Sequence, residues 1–255
     1  MKTISFINLK GGVGKTTLAT NIAYALAFQD IGKVLFIDND KQGNASDWFG
    51  VPKDNIGTLA NIMIDDVKSV KEIIRPTNTK NIDIIPADMG LLEANTQVLL
   101  SKEGNQIDII KNAIKPVMDD YIACIIDNPP DINMSVLDCL AMTDEVIIVT
   151  TPDPDSLSGV EKMVEQLEYI KQYNPNLKLR GILVNFWVND QNSANFMEVL
   201  NQKKLPVFQQ KISYATKNAR KHMTEAKYAH KAFITSFPNC LSARDMVQFF
   251  NELFG

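Results

Sequence analysis

Lys10-Gly11-Gly12-Val13-Gly14-Lys15-Thr16-Thr17 is the stretch on which the reading of this 255-residue chain turns. It matches the phosphate-loop pattern Gly-x-x-x-x-Gly-Lys-[Ser/Thr] at Gly14, Lys15 and Thr16, with Lys10 standing where the first glycine belongs. The flanks supply the missing context. Residues Lys2 to Leu9 carry Ile4, Phe6, Ile7 and Leu9 and predict a buried strand, while Leu18, Ile22 and Leu26 recur at helical spacing. Strand, glycine turn and helix in that order build an anion site. Gly11, Gly12 and Gly14 permit backbone conformations closed to other residues, so successive N–H groups turn inward, and the new helix adds its positive dipole end. Lys15 is the cation for β- and γ-phosphates, Thr16 offers Mg²⁺ a hard hydroxyl ligand, and Val13 and Thr17 complete the wrap around the nucleotide.

The rest of the chain repeats the strand-then-helix theme. Lys33 to Asp38 predicts a second buried strand opening into Asp38-Asn39-Asp40-Lys41-Gln42-Gly43-Asn44. Carboxylates at the carboxyl end of a parallel strand sit on the rim where such sheets bind ligands, and Asp38 and Asp40 both face one ligand only if the chain bends there. Tyr121 to Ile126 is an apolar run ending in Asp127, after which Pro129 and Pro130 force the chain out of the strand. Val146 to Val149 and Leu179 to Val184 predict further strands, with an amphipathic helix from Ser156 to Tyr173 between them. Between Ile56 and Leu100 the pattern is less regular. Leu59, Ile62 and Met63 suggest a helix, Ile73-Ile74 a short segment stopped by Pro76, Ile82 to Ile85 a strand, and Met89 to Leu100 a helix. The alternation predicts an α/β fold: a doubly wound, mostly parallel sheet flanked by helices, in one domain spanning 1–255 with no linker or repeat.

On these residues the chain resembles the ParA/MinD branch of P-loop ATPases, whose deviant phosphate loop reads Lys-Gly-Gly-x-Gly-Lys-[Ser/Thr]. The resemblance implies that Lys10 crosses to the nucleotide of a partner subunit, as an arginine finger supplied in trans would, so that ATP joins a face-to-face homodimer. It also implies that Asp40 orients the attacking water and that Asp38 and Asp127 support the Mg²⁺ shell. Lys41 occupies a position where the family usually has proline. Asn185, at the end of the strand from Leu179, contacts the adenine ring in several relatives; a helix cap is the alternative reading.

Composition narrows the partners. With 45% hydrophobic and 22% charged residues the chain has the make-up of an ordinary globular protein, and no run approaches the ~18 apolar residues of a membrane span. A cytoplasmic location follows as the expectation. The net charge of −4 argues against nucleic-acid binding over the whole surface, yet Lys203, Lys204, Lys211, Lys217, Arg220, Lys221, Lys227 and Lys231 fall within one stretch against the single acid Glu225. Lys217, Arg220 and Lys221 share a helical side. Such a cluster is either a solvated face or a grip on phosphate backbones, and the family resemblance favours DNA held non-specifically. Cys124, Cys139 and Cys240 are widely spaced and read as small buried residues rather than as ligands of the iron–sulfur cluster found in the nitrogenase iron protein. At the C-terminus, Ser242 with Asp245 predicts a capping box, and Met246, Phe250 and Leu253 with Val247 and Phe254 an apolar face. With Arg244 as its one cation, this helix reads as docked on the core rather than as a MinD-type membrane anchor.

Together these features imply a short ParA-type DNA-partitioning ATPase, without an N-terminal helix-turn-helix extension, associated with the nucleoid. It would work with a ParB-like centromere-binding adaptor and without stable membrane association. The rival readings are a MinD-like positioning ATPase and a metabolic enzyme of the dethiobiotin synthetase or cobyrinate amidase kind.

Overall fold

The computed structural model describes residues 1–51, 57–64, 66, 68–101 and 106–255. Ile56, at the start of the irregular region, lies outside them. Seven strands form one sheet: β1 (Lys2–Ile7), β2 (Val34–Asp38), β3 (Arg75–Pro76), β4 (Ile82–Ile85), β5 (Ala123–Asp127), β6 (Glu145–Thr150) and β7 (Lys178–Val184). Their order across the sheet is β3-β4-β2-β5-β1-β6-β7, parallel throughout except for the two-residue β3 at one edge. The α-helices are α1 (Lys15–Phe28), α2 (Asn44–Trp48), α3 (Leu59–Met63), α4 (Gly90–Leu100), α5 (Ile109–Ile114), α6 (Met134–Ala141), α7 (Pro154–Ile170), α8 (Gln191–Gln202), α9 (Lys217–Tyr228), α10 (Phe233–Ser236) and α11 (Leu241–Phe254).

Alternation along each strand explains why helices cover both faces. Phe6, Val34, Phe36, Ile125, Ile147 and Val149 point to one side, where they pack with Leu18 and Ile22 of α1 and with Met246, Phe249 and Leu253 of α11. Leu35, Ile37 and Ile126 point the other way onto α3, α4 and α5, and Ile7, Val146 and Ile148 onto α7 and α8. A strand buried on both faces has to be apolar at nearly every position, which is why β2, β5 and β6 lack polar alternation; β1 instead buries Thr3 and Ser5 between its apolar residues. The chain winds to one side of β1 first and then to the other. The crevice of such a sheet therefore opens outside the carboxyl end of β1, where the phosphate loop begins.

Three local expectations give way to tertiary contacts. The first strand stops at Ile7, because the buried Asn8 turns aside to donate from Nδ2 to the Val149 carbonyl at 2.6 Å and to accept from Lys10 N at 3.0 Å. Pro76 does not stop the short Ile73-Ile74 segment: after a 3₁₀ turn (Val70–Glu72) the chain runs on into β3, which holds Pro76 at an edge where a missing N–H is tolerated. The capping box does not form either. Cys240 is the residue ahead of α11, Ser242 Oγ is buried without a partner, and Asp245 accepts instead from Ser213 N at 2.8 Å and Gln210 Nε2 at 3.2 Å. Main-chain donors of the 209–213 segment take the α11 acids, Glu252 included, away from local capping. The helix does dock on the core, but Phe249 enters it while Val247 is left 41% exposed.

Candidate nucleotide site

The loop between β1 and α1 uses the glycine freedom predicted for it at Gly12 and Gly14 but not at Gly11. Gly12 and Gly14 take φ of 73° and 92°, in the left-handed region that a side chain disfavours. Gly14 is also the residue ahead of α1, and a Cβ there would come within 2.3 Å of Asn185 Nδ2. No atom lies within 4 Å of where a Gly12 Cβ would stand, so that side of the loop opens into a cavity of about 420 Å³. Residues 11–17 line the cavity together with Asp40, Asn44, Trp48, Pro130, Phe186 and Lys227. A larger hollow, about 810 Å³, lies around Val98 and Ile109, away from every nucleotide motif. Chemistry rather than volume picks the site.

Lys15 is buried and curls back over the loop, donating to the carbonyls of Asn8 and Lys10 at 3.3 Å each. Burial lowers its pKa, and Asp127, Asp40 and Asp131 oppose that shift. The three acids predicted from sequence do converge. β2 and β5 are neighbours in register at Asp38 and Asp127, and the chain bends at once after Asp38, with Asp40 N donating to Asp38 Oδ1 at 3.2 Å. Asp38 is fully buried and holds the start of α2: its Oδ2 accepts from both N and Oγ of Ser46 at 2.8 Å. Burial pushes its carboxyl up to about 6 against those hydrogen bonds. Asp40 lines the cavity and closes a tight turn by accepting from Gln42 N at 2.9 Å.

Asp127 is the electrostatic anomaly. Both carboxylate oxygens are buried with no hydrogen-bond partner; the Thr16 hydroxyl is near enough to ease the charge without meeting hydrogen-bond geometry. Burial and then the Asp38 charge raise its pKa well above the ordinary carboxylate range. An unpartnered carboxylate close to a hydroxyl and a phosphate nest fits a divalent cation, which would supply the missing counter-charge. Asp127→Asn should therefore raise the melting temperature of the metal-free protein. Relief of about 1–3 kcal/mol corresponds to roughly 2–4 °C per kcal/mol in a chain of this size. Scanning calorimetry checks this: with Mg²⁺ and ATP the order should reverse, since the wild type alone gains the ligand's stabilisation.

Lys10 turns away from the nest. Its ammonium donates to Asp153 Oδ1 at 2.7 Å and to Ser156 Oγ at 3.2 Å, at the N-terminus of α7. Burial works against the Asp153 carboxylate, but hydrogen bonds from Lys10, Ser156 and Thr151 hold it at about 2. The phosphate loop thus carries two lysines that face different ways. Lys41, in place of the expected proline, pairs with Asp131 at 3.8 Å and so links the loop after β2 to the loop after β5.

Comparison with known proteins agrees with this arrangement. The AAA domain family model matches residues 1–179. The chromosome partitioning protein ParA of Myxococcus xanthus is 34% identical over 194 residues, which is 75% of this chain and 67% of that protein. The chain belongs to the ParA family. Apo McdA from Cyanothece superposes on it with a TM-score of 0.85 at 22% identity, covering 100% of both chains. Cobyrinic acid a,c-diamide synthase from Mycobacterium smegmatis, with bound ATP analog and magnesium, gives 0.76 at 25% identity over 84% of each chain.

Other residues singled out from this ParA-family sequence are distributed differently. Asn185 is buried and braces the loop from behind, donating to the Val13 carbonyl at 2.7 Å while its own Oδ1 accepts from Phe186 N at 2.9 Å. It caps no helix; Asp190 caps α8. The basic stretch is spread over the end of α8, the 209–213 segment and α9. Lys203 pairs with Glu161, Lys204 is exposed beside it, and Lys211 lies over the Trp187 ring at 5.2 Å. Lys217, Arg220 and Lys221 are exposed on α9, Arg220 lying over Tyr214 at 5.3 Å and Lys221 pairing with Glu225. Lys227 is on the nucleotide cavity. Cys124 and Cys139 are buried and Cys240 half-buried, all three as free thiols.

Asn8, Ser46, Phe186 and Asp153 escaped the sequence reading. Only Asp153 carried a local sign, as an Asp-Pro helix start that it does cap through Ser156 N. The other three act through partners distant in sequence.

Proposed function

We propose that this chain is a ParA-type switch ATPase of the partitioning and positioning kind. It binds ATP with Mg²⁺, closes as an ATP-dependent sandwich homodimer and holds double-stranded DNA non-specifically. It drives plasmid or chromosome segregation on the nucleoid with a ParB-like adaptor that stimulates hydrolysis. The observation that carries this reading is the pair of lysines in one glycine turn: Lys15 folded into the nest, and Lys10 held outside it on Asp153. An ammonium kept outside its own nest is available to a second nucleotide. In the dimer it exchanges the Asp153 carboxylate for phosphate oxygens of the partner's ATP. Thr16 and Asp127, with Asp38 behind them, would hold Mg²⁺, which would supply charge neutralisation for the triphosphate. Asp40 positions the water, and Lys10 and Lys15 stabilise the charge that develops. Turnover is slow because a switch needs long-lived states.

The fold does not choose between the rivals, since it superposes on the M. smegmatis synthase as well as on McdA. One feature weighs against the MinD-like reading: the apolar face of α11 is packed on the core. A gel shift on unrelated duplex DNA with ATP, ADP or no nucleotide tests the proposal. Retardation should require ATP and weaken steeply with salt, at a slope of about −0.9 per phosphate neutralised. ATP-dependent cosedimentation with anionic liposomes and no DNA shift would transfer the chain to the positioning class.

A further inference from the structure

The sequence assigns Lys227 to the DNA-facing cluster, and the fold places it on the phosphate-loop cavity. Lys227 is the last-turn lysine of α9, half-buried, and its side chain lines the cavity of the phosphate loop beside Thr17, Asn44 and Trp48. Among the described residues its ammonium has one hydrogen-bond partner, the neutral Asn44 Oδ1 at 3.2 Å, and no carboxylate within ion-pair distance. Of the two other lysines on the β1–α1 and β2–α2 loops that flank the site, Lys10 and Lys41, each is paired with an acid. This ammonium, satisfied only by an amide oxygen, faces a nest of backbone N–H groups that already holds Lys15. Asp40 lines the same cavity, Asp127 and Asp131 act on Lys15 beside it, and Asp47 lines the adjoining hollow with Lys227 without pairing with it. A phosphate in the cavity would give the Lys227 ammonium the anionic partner that the described residues do not.

The position is also built rather than incidental. The end of α9 is tied to α2 by three contacts beyond Lys227 itself. Trp48 Nε1 donates to the Lys231 carbonyl at 2.9 Å, and His230 Nδ1 lies 3.0 Å from Asp47 O and 3.3 Å from Trp48 O. Gly50, at φ +70°, leaves room for the His230 ring, which a Cβ there would meet at 2.9 Å. A side chain whose backbone is held this firmly loses little further freedom on meeting a ligand.

We infer that Lys227 is a nucleotide-binding residue, a second cation of the cavity that engages the polyphosphate of ATP and lies outside the DNA-contacting set. This rests on the ATP-binding reading above. Isothermal titration calorimetry with ATP, ADP and adenosine, in Mg²⁺, tests it on Lys227→Gln. Loss of one charge-assisted contact should weaken ATP and ADP by roughly 10- to 100-fold, leave adenosine unchanged, and be largely restored by Lys227→Arg. Under saturating ATP, the salt slope of DNA binding should match wild type for Lys227→Gln and fall by about two for the Lys217→Gln, Lys221→Gln double variant. Lys227→Met, which keeps the aliphatic stem, serves if the glutamine variant melts early. ATP affinity within about twofold of wild type, or a salt slope reduced by about one in Lys227→Gln, would overturn the inference. Wild-type protein that binds no ATP would sink the underlying reading as well, which the same titration separates.

Discussion

Lys10→Ala is expected to leave ATP bound and to remove the proposed ATP-dependent dimer. In the structure the Lys10 ammonium serves Asp153 and Ser156 rather than its own nest, so its loss takes no contact from the subunit's own nucleotide. Asp153 keeps the Thr151 and Ser156 hydroxyls, each at 2.6 Å, and still caps α7. The damage falls on the interface, where a desolvated cation facing a triphosphate is worth about 2–5 kcal/mol, roughly 30-fold or more in dimer affinity. Size-exclusion chromatography with light scattering, run in ATP, gives the mass directly, and calorimetry gives nucleotide affinity on the same sample. A dimer of wild-type strength in the variant would refute the role in trans; loss of nucleotide binding would place Lys10 in its own site.

Asp40→Ala has the opposite profile: dimers persist and hydrolysis stops. Asp40 lines the cavity at the end of a bent loop, clear of the main-chain contacts that bury Asp38. A carboxylate that orients the attacking water contributes about 10²- to 10⁴-fold to the chemical step, so single-turnover phosphate release should fall by roughly that factor. The alanine also removes the acceptor for Gln42 N, which would loosen the turn. Asp40→Asn keeps an acceptor there and separates loop shape from water positioning, because only the second function needs the carboxylate. Normal turnover in Asp40→Asn would leave the water-positioning role without support.

Wherever a segment's surroundings follow from its own composition, the chain was legible. The apolar runs at β2, β5 and β6 are buried on both faces and have no polar alternation to misread, so the parallel sheet and its covering helices could be anticipated. Gly12 and Gly14 require the left-handed conformations they adopt, and Asp38 and Asp127 end their strands on the same rim because parallel strands share a carboxyl edge. The errors share a cause. Ser242 and Asp245 have the spacing of a capping box, but the amides of the 209–213 segment reach Asp245 first. The basic stretch is continuous in sequence, yet α8, the 209–213 segment and α9 carry its members to different surroundings.

The sequence by itself determined the nucleotide loop, the three rim carboxylates and the α/β class, because each depends on backbone conformation or on the periodicity of a single segment. Only the tertiary structure decided that Lys10 rests on Asp153, that Asn185 braces the loop at Val13 and that Lys227 faces the cavity. Those contacts join residues more than a hundred positions apart. No local pattern encodes which of many lysines or asparagines the packing of helices on a sheet will bring to one point.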